Sequence, residues 1–342
     1  MRKFSMPAWP APFATRRGHC RLALSRGAVA VLGIDAPRFG RARKTAPRVA
    51  ERPLADIATA APDELAAQIA TALDEAGGKG MPVYATFSDD LVRYFIVTPP
   101  ANSARMHDLR AAAGLRFQML YGESAAAWQL VADWQAGAPF LACAVSQRLH
   151  TALQLAVRTQ RGCLATVAPN FVAAWNRWRR RVAADAWLAT LHGHTLTLGL
   201  VSGAARHARL AAVRNLMLPE QTPPLAWLQE QIVRAALLDN MAPPSVLHVH
   251  GAQIDAWYVA APVGAAPASV TAGTSAETSA GTSAGTSAGT SAGTSAGTIG
   301  TPADGSGISV RWCLTGNAAV PALAQTTALP ALAQLAWGGA AP

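Results

Sequence analysis

The sequence predicts an α/β protein built from two similar lobes, and three observations predict it. Apolar runs of strand length alternate with runs of helical period along most of the chain. The order β-β-β-α-β occurs twice, once in each half. Between 261 and 306 the chain falls into a repeated Thr-Ser-Ala-Gly unit with no aromatic residue, which reads as a disordered loop inserted in the second lobe.

Residues 1–19 read as a flexible tail, basic but with prolines interrupting any apolar run of signal-peptide length. In "CRLALSRGAVAVLGI" two short strands meet in a tight hairpin at Ser25-Arg26-Gly27. A basic loop follows with Arg38, Arg41, Arg43 and Lys44, and "RVAERPLADI" supplies a third strand. Pro62 opens a helix with Asp63 and Glu64 in its first turn, Leu65, Ile69, Ala72 and Leu73 on one face, and Gly77-Gly78 at its end. The runs "PVYATF" and "LVRYFIV" flank Ser88-Asp89-Asp90 and read as a hairpin with a solvated turn.

Helical spacing returns in "SARMHDLRAAAGLRFQMLYG" and "SAAAWQLVADW", then strand "FLACAV", helix "RLHTALQLAVRTQ", strand "CLATVA" and helix "NFVAAWNRWRRRV" close an N-terminal lobe over 20–182. In that last helix Trp175 and Trp178 read as core, and Arg177, Arg179, Arg180 and Arg181 as a solvated helix end that suits the dipole. The C-terminal lobe, 183–260 plus 307–340, starts with strands "AWLATL", "TLTLGLV" and "ARLAAV", joined at His192-Gly193-His194 and at Ser202-Gly203. Helix "PPLAWLQEQIVRAALL" and strand "SVLHVHG" complete the unit, and "GISVRWCLTG" and "ALPALAQLAW" add a strand and a short helix after the repeat tract.

Composition sets the outer bounds. A hydrophobic share of 51% with 14% charged residues suits a globular chain rather than a wholly disordered one. The balance of 29 Lys+Arg against 19 Asp+Glu gives +10, which admits DNA, an anionic membrane face or an acidic peptide as partner. Cys20, Cys143, Cys163 and Cys313 form no C-x-x-C pair and read as buried reduced thiols. With no strongly apolar stretch of spanning length, the expected place is the cytoplasm.

Two β-β-β-α-β lobes in tandem resemble the actin-like, ribonuclease-H-related plan. Within it, "VYATFSDDLVRYFIVTPP" and "DAWLATLHGHTLTLGLVSGAARHARLAAVRN" with "SVLHVHG" are similar to the PilM proteins of type IV pilus assembly and the cytoplasmic domain of the type II secretion protein GspL. The resemblance implies a duplicated two-lobe fold, a location at the inner membrane, and a groove that takes a cytoplasmic peptide of a membrane platform protein, with an assembly ATPase nearby. Nucleotide-binding members of the fold hold phosphates in two hairpin turns with an Asp-x-Gly pattern, one per lobe. Ser25-Arg26-Gly27 and His192-Gly193-His194 stand at those places and contain no carboxylate, while Asp35 and Asp185 are displaced from them. The glycine pair expected after the last strand is represented by Gly251 alone. These turns read as degenerate phosphate loops, so no cofactor and no catalytic residue is expected.

If the first and fourth strands of the second lobe lie side by side, His192, His194, His248 and His250 approach one crevice as the candidate metal ligands. Gly193 breaks the shared face of the first pair and no acid or thiol stands close in sequence, so a metal is not the expected occupant. Ser88-Asp89-Asp90 lacks any nucleophile-elbow context for a triad. The leading expectation is a non-catalytic scaffold whose basic loop (Arg38, Arg41, Arg43, Lys44) docks a partner. The alternatives are an actin-like ATPase with divergent loops and a basic nucleic-acid-binding protein.

Overall fold

The structure, a computed structural model, describes residues 18–35, 46–101, 105–183, 185–203, 208–219, 222–257, 308–313 and 331–338. Residues 1–17 of the expected N-terminal tail, the loop with Arg38, Arg41, Arg43 and Lys44, and the 261–306 tract lie outside the described residues, and His19, expected in the tail, opens the first strand.

Strands β1 (His19–Leu24), β2 (Ala28–Ile34) and β3 (Arg48–Pro53) form an antiparallel meander. Helix α1 (Pro62–Glu75) then carries the chain back so that β4 (Pro82–Phe87) runs parallel to β1. Leu65, Ile69 and Leu73 recur at helical spacing and bury one face of α1, while Pro62 and the acidic first turn favour its start. After helix α3 (Gln147–Thr159), β8 (Cys163–Pro169) adds to β4 in parallel, completing the order β3-β2-β1-β4-β8.

The second lobe repeats the plan. Strands β9 (Ala186–His192), β10 (Thr195–Ser202) and β11 (Arg209–Met217) form the meander. Helix α5 (Leu225–Leu238) leads to β12 (Val246–Gly251) parallel to β9, and β13 (Ser309–Trp312) joins beside it. The order is β11-β10-β9-β12-β13, the same as in the first lobe.

Between β4 and α3 the first lobe carries an insert of β5 (Val92–Val97), α2 (Met106–Tyr121), β6 (Trp128–Ala132) and β7 (Phe140–Ser146). Its antiparallel sheet has the order β5-β7-β6. Alternate residues serve two cores: Tyr94, Cys143 and Val145 join the main core, whereas Phe95, Val97, Ala142 and Ala144 pack with Leu109, Ala113 and Phe117 of α2. Two expectations are corrected here. The runs around Ser88-Asp89-Asp90 are not a hairpin, because β4 pairs with β1 and β8 while β5 pairs with β7, and a single 3-10 turn at Asp89–Leu91 passes the chain between sheets. "SAAAWQLVADW" is not a helix: Ser124 Oγ accepts from Ala126 N–H in a single turn, and Trp128 to Ala132 then pair with β7. The alanines matched a helical period, and tertiary pairing decided otherwise.

The last helix of each lobe crosses to the other. Helix α4 (Asn170–Trp178) leaves β8 and packs against β9, with Phe171 set against Gly199 of β10. Helix α6 (Ala331–Gly338) follows the second lobe and buries Leu332, Ala333, Leu335 and Ala336 against Ala23, Ala30 and Leu32. The main core runs through both lobes, from Leu22 and Val31 to Leu198 and Val249. Trp175 and Trp178 belong to it, with Arg177, Arg180 and Arg181 exposed. All four cysteines are free, but Cys163 at the start of the edge strand β8 is exposed and Cys313 half-buried, so only Cys20 and Cys143 are the buried thiols expected. Among the described residues no helix is long and apolar enough to cross a membrane.

Candidate functional site

Parallel pairing of β1 with β4 sets the end of β4 beside the β1–β2 turn, and Ser88 N–H donates to the Leu24 carbonyl at 2.8 Å. The turn is closed by Ser25 N–H on the Ala28 carbonyl (3.0 Å). Arg26 N–H, the turn's outward donor, gives its hydrogen to Asp90 Oδ2 at 3.1 Å, and the Arg26 guanidinium reaches the Asp90 carbonyl at 3.4 Å. A carboxylate of the chain itself therefore sits on the backbone donor of the β1–β2 turn.

Asp89 is not the solvated turn residue expected but is 2% exposed. Its Oδ1 accepts from Tyr94 Oη (2.5 Å) and Phe171 N–H (2.9 Å), and its Oδ2 from Thr190 Oγ1 (2.6 Å) and Asn170 Nδ2 (3.2 Å). Those donors come from the insert, from the first turn of α4 and from β9 of the second lobe. Pro169 occupies the N-cap of α4 and offers no side-chain acceptor, so Asp89 caps that helix from a distance, where the dipole and free N–H groups favour an anion. Asn215 on β11 completes the bridge, donating to the carbonyls of Asp89 (3.0 Å) and Val92 (3.2 Å). Burial raises the Asp89 carboxyl above the ordinary range, and the four hydrogen bonds oppose that rise. Burial and the neighbouring Asp89 charge push Tyr94 well up, and Cys143, buried near the same carboxylate, is pushed up to about 12.

On the second lobe, His192 and Thr195 close the β9–β10 turn, with Gly193 at φ +54° as the first central residue. His192 is half-buried; burial lowers its pKa, and the Asp90 and Asp89 charges pull it back. The His194 carbonyl accepts from Leu218 N–H at 2.7 Å. The imidazoles of β12 serve other surroundings. His250 lies against the Trp178 ring (6.4 Å between centroids), its pKa lowered to about 4 by burial and then by the Arg177 charge. His248 stands opposite Arg311 of β13. Although β9 and β12 are neighbours, no group of three His, Cys, Asp or Glu able to hold a metal forms among the described residues.

Gly251, at φ +140°, faces the backbone of β9: an added Cβ would stand 2.0 Å from the Leu191 carbonyl oxygen. Its smallness serves strand-to-strand approach. Asp35 pairs with Arg48 (2.9 Å) at the opposite end of β2 from the turn, and the Asp185 carbonyl holds Ser245 N–H (3.1 Å). The sequence reading thus located the two turns, took Asp89 and Asp90 for a solvated bend, and did not single out Tyr94, Asn170, Thr190 or Asn215. The signal available was topological, since a parallel β4 beside β1 must deliver the Ser88-Asp89-Asp90 segment to the first turn.

No protein-family model and no curated protein matches the chain. Among solved structures it is similar to a Bacteroides thetaiotaomicron protein with an actin-like ATPase fold, at 8% identity over 70% of this chain and 84% of that one, TM-score 0.46. The duplicated β3-β2-β1-β4-β8 order is the two-lobe plan that the resemblance in the sequence implied. The chain is also similar to the PilM–PilN type IV pilus biogenesis complex (17% identity, 65% of this chain and 66% of that one, TM-score 0.41). A third similar structure is the cytoplasmic domain of EpsL, an inner membrane component of the type II secretion system of Vibrio cholerae (9% identity, 68% and 81%, TM-score 0.39).

Proposed function

We propose that this chain is a non-catalytic actin-like scaffold of a type IV pilus or type II secretion platform, docking a cytoplasmic peptide of an inner-membrane partner beside an assembly ATPase. One observation supports the non-catalytic half: two backbone anion seats, the Arg26 N–H and the N-terminus of α4, are filled by Asp90 and Asp89. A triphosphate entering there must displace one carboxylate and face the charge of both. The second turn offers imidazole where magnesium chemistry calls for oxygen ligands.

The setting rests on the resemblance of the quoted stretches to PilM and GspL; the similar PilM chain is found in complex with PilN. The test is fluorescence anisotropy of a labelled cytoplasmic peptide from the PilN-like protein of the same genome, titrated with the full chain with and without Mg-ATP. Saturable binding indifferent to Mg-ATP is the expected result. Absence of peptide binding together with phosphate release from ATP would move the assignment to an actin-like ATPase.

A further inference from the structure

Helix α2 is apolar on two opposite sides. Leu109, Ala113 and Phe117 are buried on the small sheet. Ala111, Leu115 and Met119, spaced four apart, form a stripe on the far side, where Leu115 is 62% and Met119 69% exposed. Arg105, Arg110 and Arg116 are exposed along the flanks, Arg110 with its guanidinium 5.9 Å from the Trp134 ring centroid. The nearby acids are engaged: Asp108 is half-buried beside His107 (3.6 Å), Glu123 is held by Arg93 (2.6 Å) and the Trp128 indole N–H (2.8 Å), and Asp133 accepts from Gln135 (2.6 Å).

We propose that this ridge rests on an anionic lipid surface, with Leu115 and Met119 at the headgroup boundary and Arg105, Arg110 and Arg116 among the phosphates. Two features select a bilayer over a partner helix. The strands of the small sheet turn alternate residues toward α2 and toward the main core, so among the described elements α2 covers the outer face alone and presents a convex ridge. A partner helix docks in a groove, whereas a soft, flat headgroup layer accepts a ridge. The rim is also cationic, and the chain as a whole carries +10, so long-range attraction and local contact have the same sign.

The test is flotation of the full chain with phosphatidylcholine vesicles and with vesicles that also contain phosphatidylglycerol. The chain should float with the second kind only, and added salt should release it. Leu115→Gln with Met119→Gln should lower the partition by about tenfold or more at unchanged thermal stability, since both side chains are exposed. Arg105→Gln with Arg110→Gln and Arg116→Gln should erase the preference for phosphatidylglycerol. Wild-type chain left unfloated, or either variant set floating like wild type, overturns the proposal. Flotation is read apart from the peptide anisotropy above, so loss of one result leaves the other standing.

Discussion

Asp89 shows how one side chain can join three parts of a molecule. Its four donors belong to the insert, to α4 and to β9, and all are buried with it. Asp89→Ala removes the acceptor and leaves those donors unpaired in a dry site, so we expect a loss of about 3 kcal/mol or more in urea unfolding. Asp89→Asn keeps one oxygen and should lose less. His250 makes a pH prediction whose sign follows from its depressed pKa. Its imidazole is neutral in the folded state down to about 4 and would take a proton near 6.5 when unfolded. Its contribution is therefore complete above about 6.5 and is lost as pH falls toward 4, on the order of 3 kcal/mol. Asp89, with its raised pKa, contributes in the opposite sense, its share growing as pH falls through its folded value. Comparing wild type with His250→Gln at each pH isolates the histidine, and parallel stability curves between pH 6.5 and 4 would show the assignment of His250 to be wrong.

At the level of elements, the hairpin turns and the crossing helices obey different rules, and glycine substitutions separate them. Gly193 has a left-handed backbone with nothing within 4 Å of an added Cβ, so Gly193→Asn, which tolerates that conformation, should change stability by no more than about 0.5 kcal/mol. Gly199 meets the Phe171 ring, where an added Cβ would come within 2.3 Å. Gly199→Ala must push α4 away from β10 and should cost about 2 kcal/mol. Equal melting temperatures for the two variants would refute this division. Most strands of both meanders and helices α1, α3 and α5 were legible because apolar runs of strand length alternate with runs of helical period. The insert was only partly legible. Alanines around Trp128 fit a helical period as well as a strand, and the acidic turn after β4 looked like a hairpin bend because its two flanking strands belong to separate sheets that no local pattern distinguishes.

For the whole molecule, helix exchange between the lobes and the Asp89 bridge tie the two lobes together. The duplicated strand order was readable from element succession, and the positions of both turns followed from it. The contacts around Asp89 and Asp90 were not readable, because they join groups 64 to 126 positions apart, within the first lobe and between the two: Arg26 with Asp90, |i−j| 64; Asp89 with Thr190, |i−j| 101; Asn215 with the Asp89 carbonyl, |i−j| 126. On the proposed function, the Arg26 N–H and the N-terminus of α4, each already bonded to one of the chain's own carboxylates, should take no nucleotide phosphate. Calorimetric titration of the full chain with Mg-ATP tests this most directly. We predict no saturable heat up to roughly millimolar ligand, a range in which binding of ~4 kcal/mol would register. A saturable isotherm with a micromolar dissociation constant, accompanied by a rise in melting temperature, would contradict it.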